Sequence, residues 1–363
     1  MKQPIITRDI ERKAIYTDIL YDPEWTYVEI FIDPNSEYGT RYSLSTTGCS
    51  CDYVVDWGDG CIEKNIRTHR YETGGTYTVR VKGSIYSNAT FSETQKIKRG
   101  LFGRSTIKAL QYGSKFETDM SLFWNSKDLE EIDPTFFANR PDLTDLSYMF
   151  SSCKKLKAIP EGLFDPLTNL SKIDHLFTEC TEITTIPKGL FDKNAKLTNV
   201  DWAFASCIKL SSIESSLFDS ATELISATHT FYDCQALETI PDRLFTNCSK
   251  LIHIDGMFQT SALTEIPPNL FRGCGNIETA ERTFLNTMIT LVPKGLFDDC
   301  TRISTFQMAF AYCKWLTEVP TDLFSKCKTV PNVTDVFYGD NRMHKFTVDE
   351  TIENIGSYYK TQQ

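Results

Sequence analysis

Between Leu197 and Phe218 the chain reads LTNVDWAFASCIKLSSIESSLF, and between Leu224 and Phe245 it reads LISATHTFYDCQALETIPDRLF. The apolar positions coincide: Leu, an apolar residue three on, Phe, Cys, Leu again, then an apolar residue and Leu-Phe. Aligned on the phrase I-P-x-x-L-F, its first residue falls at Ile132, Ile159, Ile186, Ile213, Ile240, Ile266, Val292 and Val319, in steps of 26 or 27. The two shortened steps come where FQTSAL and FLNTMI replace FYDCQAL. Self-similarity at a fixed period of this size marks a solenoid, in which stacked units bury a core that no single unit could bury alone.

Each unit splits into two halves, as in LKAIPEGLF and LSKIDHLFTEC. The apolar pair at i and i+3 suits a very short strand or extended corner, and the Phe that follows suits a short helical turn. The residue between supports a turn start. In one half it is Ser147, Asp174, Asp201, Thr228 and Asp255, types that cap helices. In the other it is usually Pro, as at Pro160, Pro187 and Pro241, which is tolerated in a first helical turn. The expected fold class is therefore an α/β repeat solenoid of about eight coils over residues 100–338, each coil running strand, cap, half-helix, twice over. Two Phe columns form its core, one from Phe150 to Phe337 and one from Phe164 to Phe324. Each buried ring contributes roughly 1.5–3 kcal/mol.

These units resemble leucine-rich repeats, and among them the Treponema/Bacteroides surface-antigen type with its phrase AFxxCxxLxxI. AFASCIKLSSI at Ala203–Ile213 and AFAYCKWLTEV at Ala309–Val319 carry the likeness, which extends from about Phe102 to Phe337. The period and the alternating IPxxLF half depart from that pattern and look like variants of Bacteroidota and their phages. The resemblance implies binding and adhesion, not catalysis.

Ahead of the array, YVVDWGDGCIEKNIRTHRYETGGTYTVRVKG has the alternation and turn residues of a β-sandwich. Trp57, Gly58, Asp59, Gly60, His69, Tyr71, Gly75, Tyr77 and Val79 resemble a PKD-type Ig-like domain, expected over residues 23–99. DWGDG reads as a tight turn whose Asp binds its own backbone. A calcium site at Asp56 and Asp59 is the sharper alternative and lacks the further oxygen ligands calcium needs. Residues 1–22 form an expected N-terminal arm for docking, and 339–363 an expected cap on the last coil.

Composition narrows the classes. The net charge of −10 argues against nucleic acid and anionic membranes. No apolar run is long enough to span a bilayer. The first twenty residues lack the apolar stretch of a secretory signal, so export by that route is not expected unless a leader has been removed. Twelve cysteines look like a disulfide set until their spacing is read. Cys153, Cys180, Cys207 and Cys234 lie 27 apart, and Cys248, Cys274, Cys300 and Cys327 step by 26 or 27. Such series stack at one buried position as small hydrophobes and offer none of the close ligand pairs of a zinc site. Cys49, Cys51 and Cys61 stand apart, and bind metal or cross-link only as a minor alternative. Reduced thiols fit a cytosolic origin, including a particle assembled inside a cell.

Catalytic phrases such as G-x-S-x-G, a Walker A loop or H-E-x-x-H do not occur in the sequence. Asp174, Asp201 and Asp255 share a column, and paired carboxylates about 5–5.5 Å apart would suit a retaining glycosidase. Ser147 and Thr228 in the same column favour capping instead, and no enzyme, cofactor or metal is expected. One column varies while its neighbours hold their type: Tyr148, His175, Trp202, His229, Gly256, Arg282, Met308 and Asp335. Its aromatic and hydrogen-bonding members make Tyr148, His175, Trp202, His229, Arg282 and Met308 the candidate ligand residues, pointing outward. Tyr312 and Trp315 would extend the patch, although Trp315 suits the core equally. The expected function is non-enzymatic recognition of a glycan or protein on a host or bacterial surface. The carrier is a phage virion component, with a bacterial surface adhesin or an assembly protein docked to other virion proteins by its arm as alternatives.

Overall fold

The computed structural model describes residues 22–46, 49–87, 100–118 and 121–340. The expected arm over 1–22 and cap over 339–363 lie outside these residues, except for Asp22, Gly339 and Asp340.

The N-terminal part is built of strands whose side chains alternate between core and solvent. They are β1 (Thr26–Ile32), β2 (Arg41–Ser43), β3 (Cys49–Asp56), β4 (Ile62–Lys64), β5 (Thr68–Arg70) and β6 (Gly75–Ser87). Beyond residue 99 come β7 (Thr106–Gln111), β8 (Phe116–Thr118) and β9 (Glu131–Ile132). The main sheet runs β4-β3-β6-β1-β7-β9, with β8 beside β6, and β2 and β5 form a second, two-stranded sheet. Trp57, Tyr42, Tyr71, Val55 and Val79 are buried in this module. In the DWGDG turn the Gly58 amide donates to Asp56 Oδ1 at 2.9 Å and the Cys61 amide to Asp59 Oδ1 at 3.1 Å. Gly58 has φ +83°, and a Cβ there would lie 2.4 Å from the Thr78 carbonyl oxygen, so only glycine fits.

The main sheet runs straight into the repeats. β1 pairs antiparallel with both β6 and β7. β7 pairs parallel with β9 in the first coil, and the Lys157 amide donates to the Glu130 carbonyl one coil on. A single hydrophobic core extends from Val28 to Phe337.

The repeats form a solenoid, but the expected helical turns are absent: among the described residues there is no helix. The α/β class is corrected to a solenoid of parallel bridges and tight turns. Isolated parallel pairings run Asp145–Lys172–Asn199–Ser226–His253–Thr279–Thr305–Asn332, one per coil. Alternate amides then do different jobs. Those of Leu146, Tyr148, Phe150 and Ser152 donate to carbonyls of Lys172, Asp174, Leu176 and Thr178 in the next coil. Those of Met149, Ser151 and Cys153 close turns onto residues three back. The same alternation recurs from coil to coil up to Tyr312, whose amide donates to Tyr338. Tyr148 and Ser152 both have positive φ, and so do their counterparts four residues apart in most later coils. A left-handed residue at that spacing interrupts an α-helix of L-residues, and the amides an α-helix would use are engaged by the neighbouring coil.

The Phe column begins earlier than the sequence suggests, with Phe123 and before it Phe102, stacked on it at 5.5 Å and 26°. Neighbouring rings from Phe123 to Phe337 lie 5.5–5.8 Å apart and within 7–19° of parallel. The second column likewise starts early, at Phe137, 5.8 Å from Phe164. The cysteine columns are free of disulfides and buried, except for the half-buried Cys327 at the end of the second. Cys153, Cys180 and Cys207 donate to the carbonyls of Phe123, Phe150 and Phe177 at 3.1–3.2 Å, one coil back. Burial pushes the Cys207 thiol up to about 12, so it stays protonated. At the matching place in the other half, buried Asn194 donates to the carbonyls of Phe164 and Leu167.

Candidate recognition face

The variable column sits on the turn ladder, two residues before each Phe of the first column. All eight members, Tyr148, His175, Trp202, His229, Gly256, Arg282, Met308 and Asp335, have φ between 54° and 61°. Each non-glycine member holds a conformation that disfavours a Cβ by roughly 1–2 kcal/mol. The other left-handed column holds mostly short or polar side chains, such as Ser152, Ser206, Asp233 and Asn286, which tolerate it better. Bulky rings in the first column are therefore a departure from what the backbone alone favours.

Four of those rings stack along the solenoid axis. Tyr148 and His175 lie 4.4 Å apart at 14°, His175 and Trp202 5.5 Å apart at 8°, and Trp202 and His229 4.1 Å apart at 6°. The stack stops at Gly256, where a Cβ would fall 2.3 Å from His229 Nε2. The imidazole thus lies against the glycine backbone, and burial pushes its pKa below the ordinary histidine value. Tyr232, one residue past its Phe, leans on Trp202 at 5.3 Å and on His229 at 5.7 Å.

The structure thus brings together Tyr148, His175, Trp202 and His229, all half-buried, with faces turned to one another. Arg282, exposed, and Met308, half-buried, lie beyond the glycine break. Trp315 is 48% and Tyr312 38% exposed, so Trp315 is not a core residue. Tyr232 escaped sequence reasoning, because its column also holds Ser151, Thr178, Ala205, Gln259, Leu285 and Ala311, and its one other aromatic, Tyr338, stands four coils on.

The acidic column beside the rings is a set of clasps between coils. Asp201 Oδ1 accepts from the Thr228 amide at 2.7 Å and from Ser226 Oγ at 2.6 Å, and its Oδ2 accepts from Asn199 Nδ2 at 3.0 Å. Asp255 Oδ1 likewise accepts from the Glu281 amide at 2.7 Å. These carboxylates satisfy amides of the next coil rather than capping helices of their own. Asp174 differs: burial and then the neighbouring Asp201 charge push its pKa up to about 6. An unfolded aspartate titrates near 3.9, so the folded protein holds this proton more tightly. The associated stability is full below about pH 4 and is lost as pH rises through about 6. The parent should therefore lose stability relative to Asp174→Asn between pH 4 and 7 in thermal unfolding. A pH-independent difference between the two would show that the carboxyl is not raised.

Parallel bridges stacked one per coil, with paired columns of Leu and Phe facing inward, define a leucine-rich-repeat solenoid. Six copies of the BspA type leucine rich repeat region match residues 126–254 and 211–334, more than half of the chain. The chain belongs to this family, whose repeats suggest a recognition role. A comparison with curated protein sequences gives no match. Among solved structures, the chain is similar to one in the Toll–Spätzle complex from Drosophila, at 15% identity and a TM-score of 0.27, over 67% of this chain and 42% of that one. It is also similar to a chain in the octameric complex of latrophilin 3, Unc5D and the leucine-rich repeats of FLRT2, at 12% identity and a TM-score of 0.25, over 61% and 80%. The chain thus spans less than half the length of the Toll-complex chain it matches. Among the described residues no helix is long and apolar enough to cross a membrane.

Proposed function

We propose that this is a non-enzymatic recognition protein that binds a protein partner across the ring-stacked face of its solenoid. The observation that carries this is the stack itself: Tyr148, His175, Trp202 and His229 occupy left-handed positions that disfavour them and form one half-buried run of rings on which Tyr232 leans. Strained positions that keep bulky side chains are a mark of functional sites, and Trp and Tyr are the side chains that dominate protein interfaces. A sugar stacks on an open ring face, and here the inner ring faces are covered by one another and by Gly256. That favours a protein over a glycan.

The same reading puts the protein on an outer surface, as a phage virion component or a bacterial surface adhesin. Its N-terminal strands would serve as a PKD-type spacer and its N-terminal arm as a dock to other virion proteins. Thiols that pack as buried donors to coil carbonyls support folding in a reducing compartment before display.

The test is a glycan array and an immobilised-protein pull-down from candidate host surfaces, run with the parent and a Trp202→Ala, His175→Ala double variant of verified fold. A protein bound by the parent and at least tenfold more weakly by the variant supports the reading. Binding of a glycan instead would replace the protein partner, and a partner held equally by both forms would remove this face from the function.

A further inference from the structure

Three side chains that the repeats do not use converge at one corner of the N-terminal module. Asp59 and Cys61 lie on the turn from β3 to β4, and His69 lies in β5. One ligating atom from each lies within 4.8 Å of the other two. Asp59 Oδ2 and His69 Nε2 are 2.7 Å apart. The surroundings hold these groups in place. Asp59 Oδ1 accepts the Cys61 amide, so two of the three sit on one short, hydrogen-bonded turn. The His69 ring stacks on Trp57 at 5.2 Å and 12°, meets Tyr71 edge-on at 4.7 Å, and its side chain is only 11% exposed. Its second nitrogen, Nδ1, faces Glu63 Oε2 at 3.9 Å, and that carboxylate is itself held by Trp57 Nε1 at 2.7 Å. Cys61 is exposed, so the cluster opens to solvent on the thiol side.

We propose that Asp59, Cys61 and His69 bind one zinc ion. A carboxylate oxygen, a thiolate sulfur and an imidazole nitrogen are each ordinary zinc ligands, and calcium would require several more oxygens. Zinc bonds of about 2.0–2.3 Å in a tetrahedron separate ligand atoms by roughly 3.3–3.8 Å, a spacing these groups reach with small side-chain rotations. The fourth position, on the Cys61 side, takes water or a donor from a partner. On binding, Nε2 gives up its proton and Nδ1 takes one, on the side of the Glu63 carboxylate 3.9 Å away, whose charge favours that tautomer and would complete a carboxylate–histidine–metal arrangement on closing in. The thiol proton is released to solvent, one per ion bound. The spacing that encodes the site, Asp59, Cys61 and His69, is split between a turn motif and a core motif, so neither half reads as a metal site by itself.

The test uses the full chain, freed of metal with a chelator and kept reduced. Zinc is titrated against a chromophoric chelator, and cobalt(II) is followed by absorption. One equivalent of zinc is expected, and the cobalt form should show a thiolate charge-transfer band with tetrahedral d–d transitions. Cys61→Ser, at an exposed position, should fold like the parent, lose the charge-transfer band and bind zinc at least tenfold more weakly. Glu63→Gln should keep the band and weaken zinc about tenfold, as outer-shell changes do. A Cys49→Ser, Cys51→Ser double variant should match the parent. Failure to bind one equivalent, or a charge-transfer band that survives in Cys61→Ser, overturns the proposal. His69→Gln gives a second reading: its metal-free form should be less stable than the parent, because the ring packs on Trp57 and Tyr71, and its folded form should bind zinc at least tenfold more weakly, whereas parent-like zinc affinity would remove His69 from the site.

Discussion

Phe204→Ala should lower the unfolding free energy by about 3–5 kcal/mol, read as a shift in denaturant midpoint at constant slope. The ring is fully buried and stacked 5.8 Å from both Phe177 and Phe231. Its removal leaves a hole between coils that cannot close, because the coil spacing is fixed by amides donating from Phe177 to Ala203 and from Phe204 to Thr230. In a solenoid each coil touches only its neighbours, so the damage falls on the two interfaces at one place in the array. An unfolding free energy within about 1 kcal/mol of the parent would mean that the coils can slide to refill the gap, and the ladder would not be the rigid frame described.

The second large effect is expected at Asp201. Asp201→Ala removes the acceptor for the Thr228 amide, Ser226 Oγ and Asn199 Nδ2 at once. Stranding a partly buried donor costs about 1–3 kcal/mol, so a loss of about 2–3 kcal/mol is expected. Asp201→Asn keeps one oxygen for the Thr228 amide and should recover at least half of it. The pair of variants separates the two readings of the acidic column. A clasp between coils predicts graded stability, Asp above Asn above Ala, whereas an acid–base pair predicts little change in stability from either variant. Equal midpoints for all three forms would dismiss the clasp.

Much of this architecture was legible because a repeat writes its core in one dimension. The steps between I-P-x-x-L-F phrases place the Phe and Cys columns where the structure has them. The front coil was only partly legible: residues 100–338 read as solenoid, but Ser126 stands where later coils have Cys and donates to the Phe102 carbonyl, and from the sequence the two Phe columns start at Phe150 and Phe164. The helical turns failed for a physical reason. Ser, Asp and Thr before a turn, or Pro at its start, signal a tight turn as well as a first turn of helix, and the choice is made by acceptors a whole coil away. The left-handed φ at Tyr148, His175 and Trp202 is equally silent, since none of these residue types announces it. For the same reason the sequence marked the variable column but not that its rings would face one another.

The inter-coil ladder is made by main-chain amides and carbonyls, whatever side chain each residue carries. The inter-coil bonds are therefore the same whichever residue stands on the left-handed column, as at Trp202, Gly256 and Arg282, and the cost of the backbone conformation stays local to each residue. Such a surface can be rewritten one coil at a time, or lengthened by a coil, without renegotiating the fold, and its binding preference can drift while its skeleton stands still.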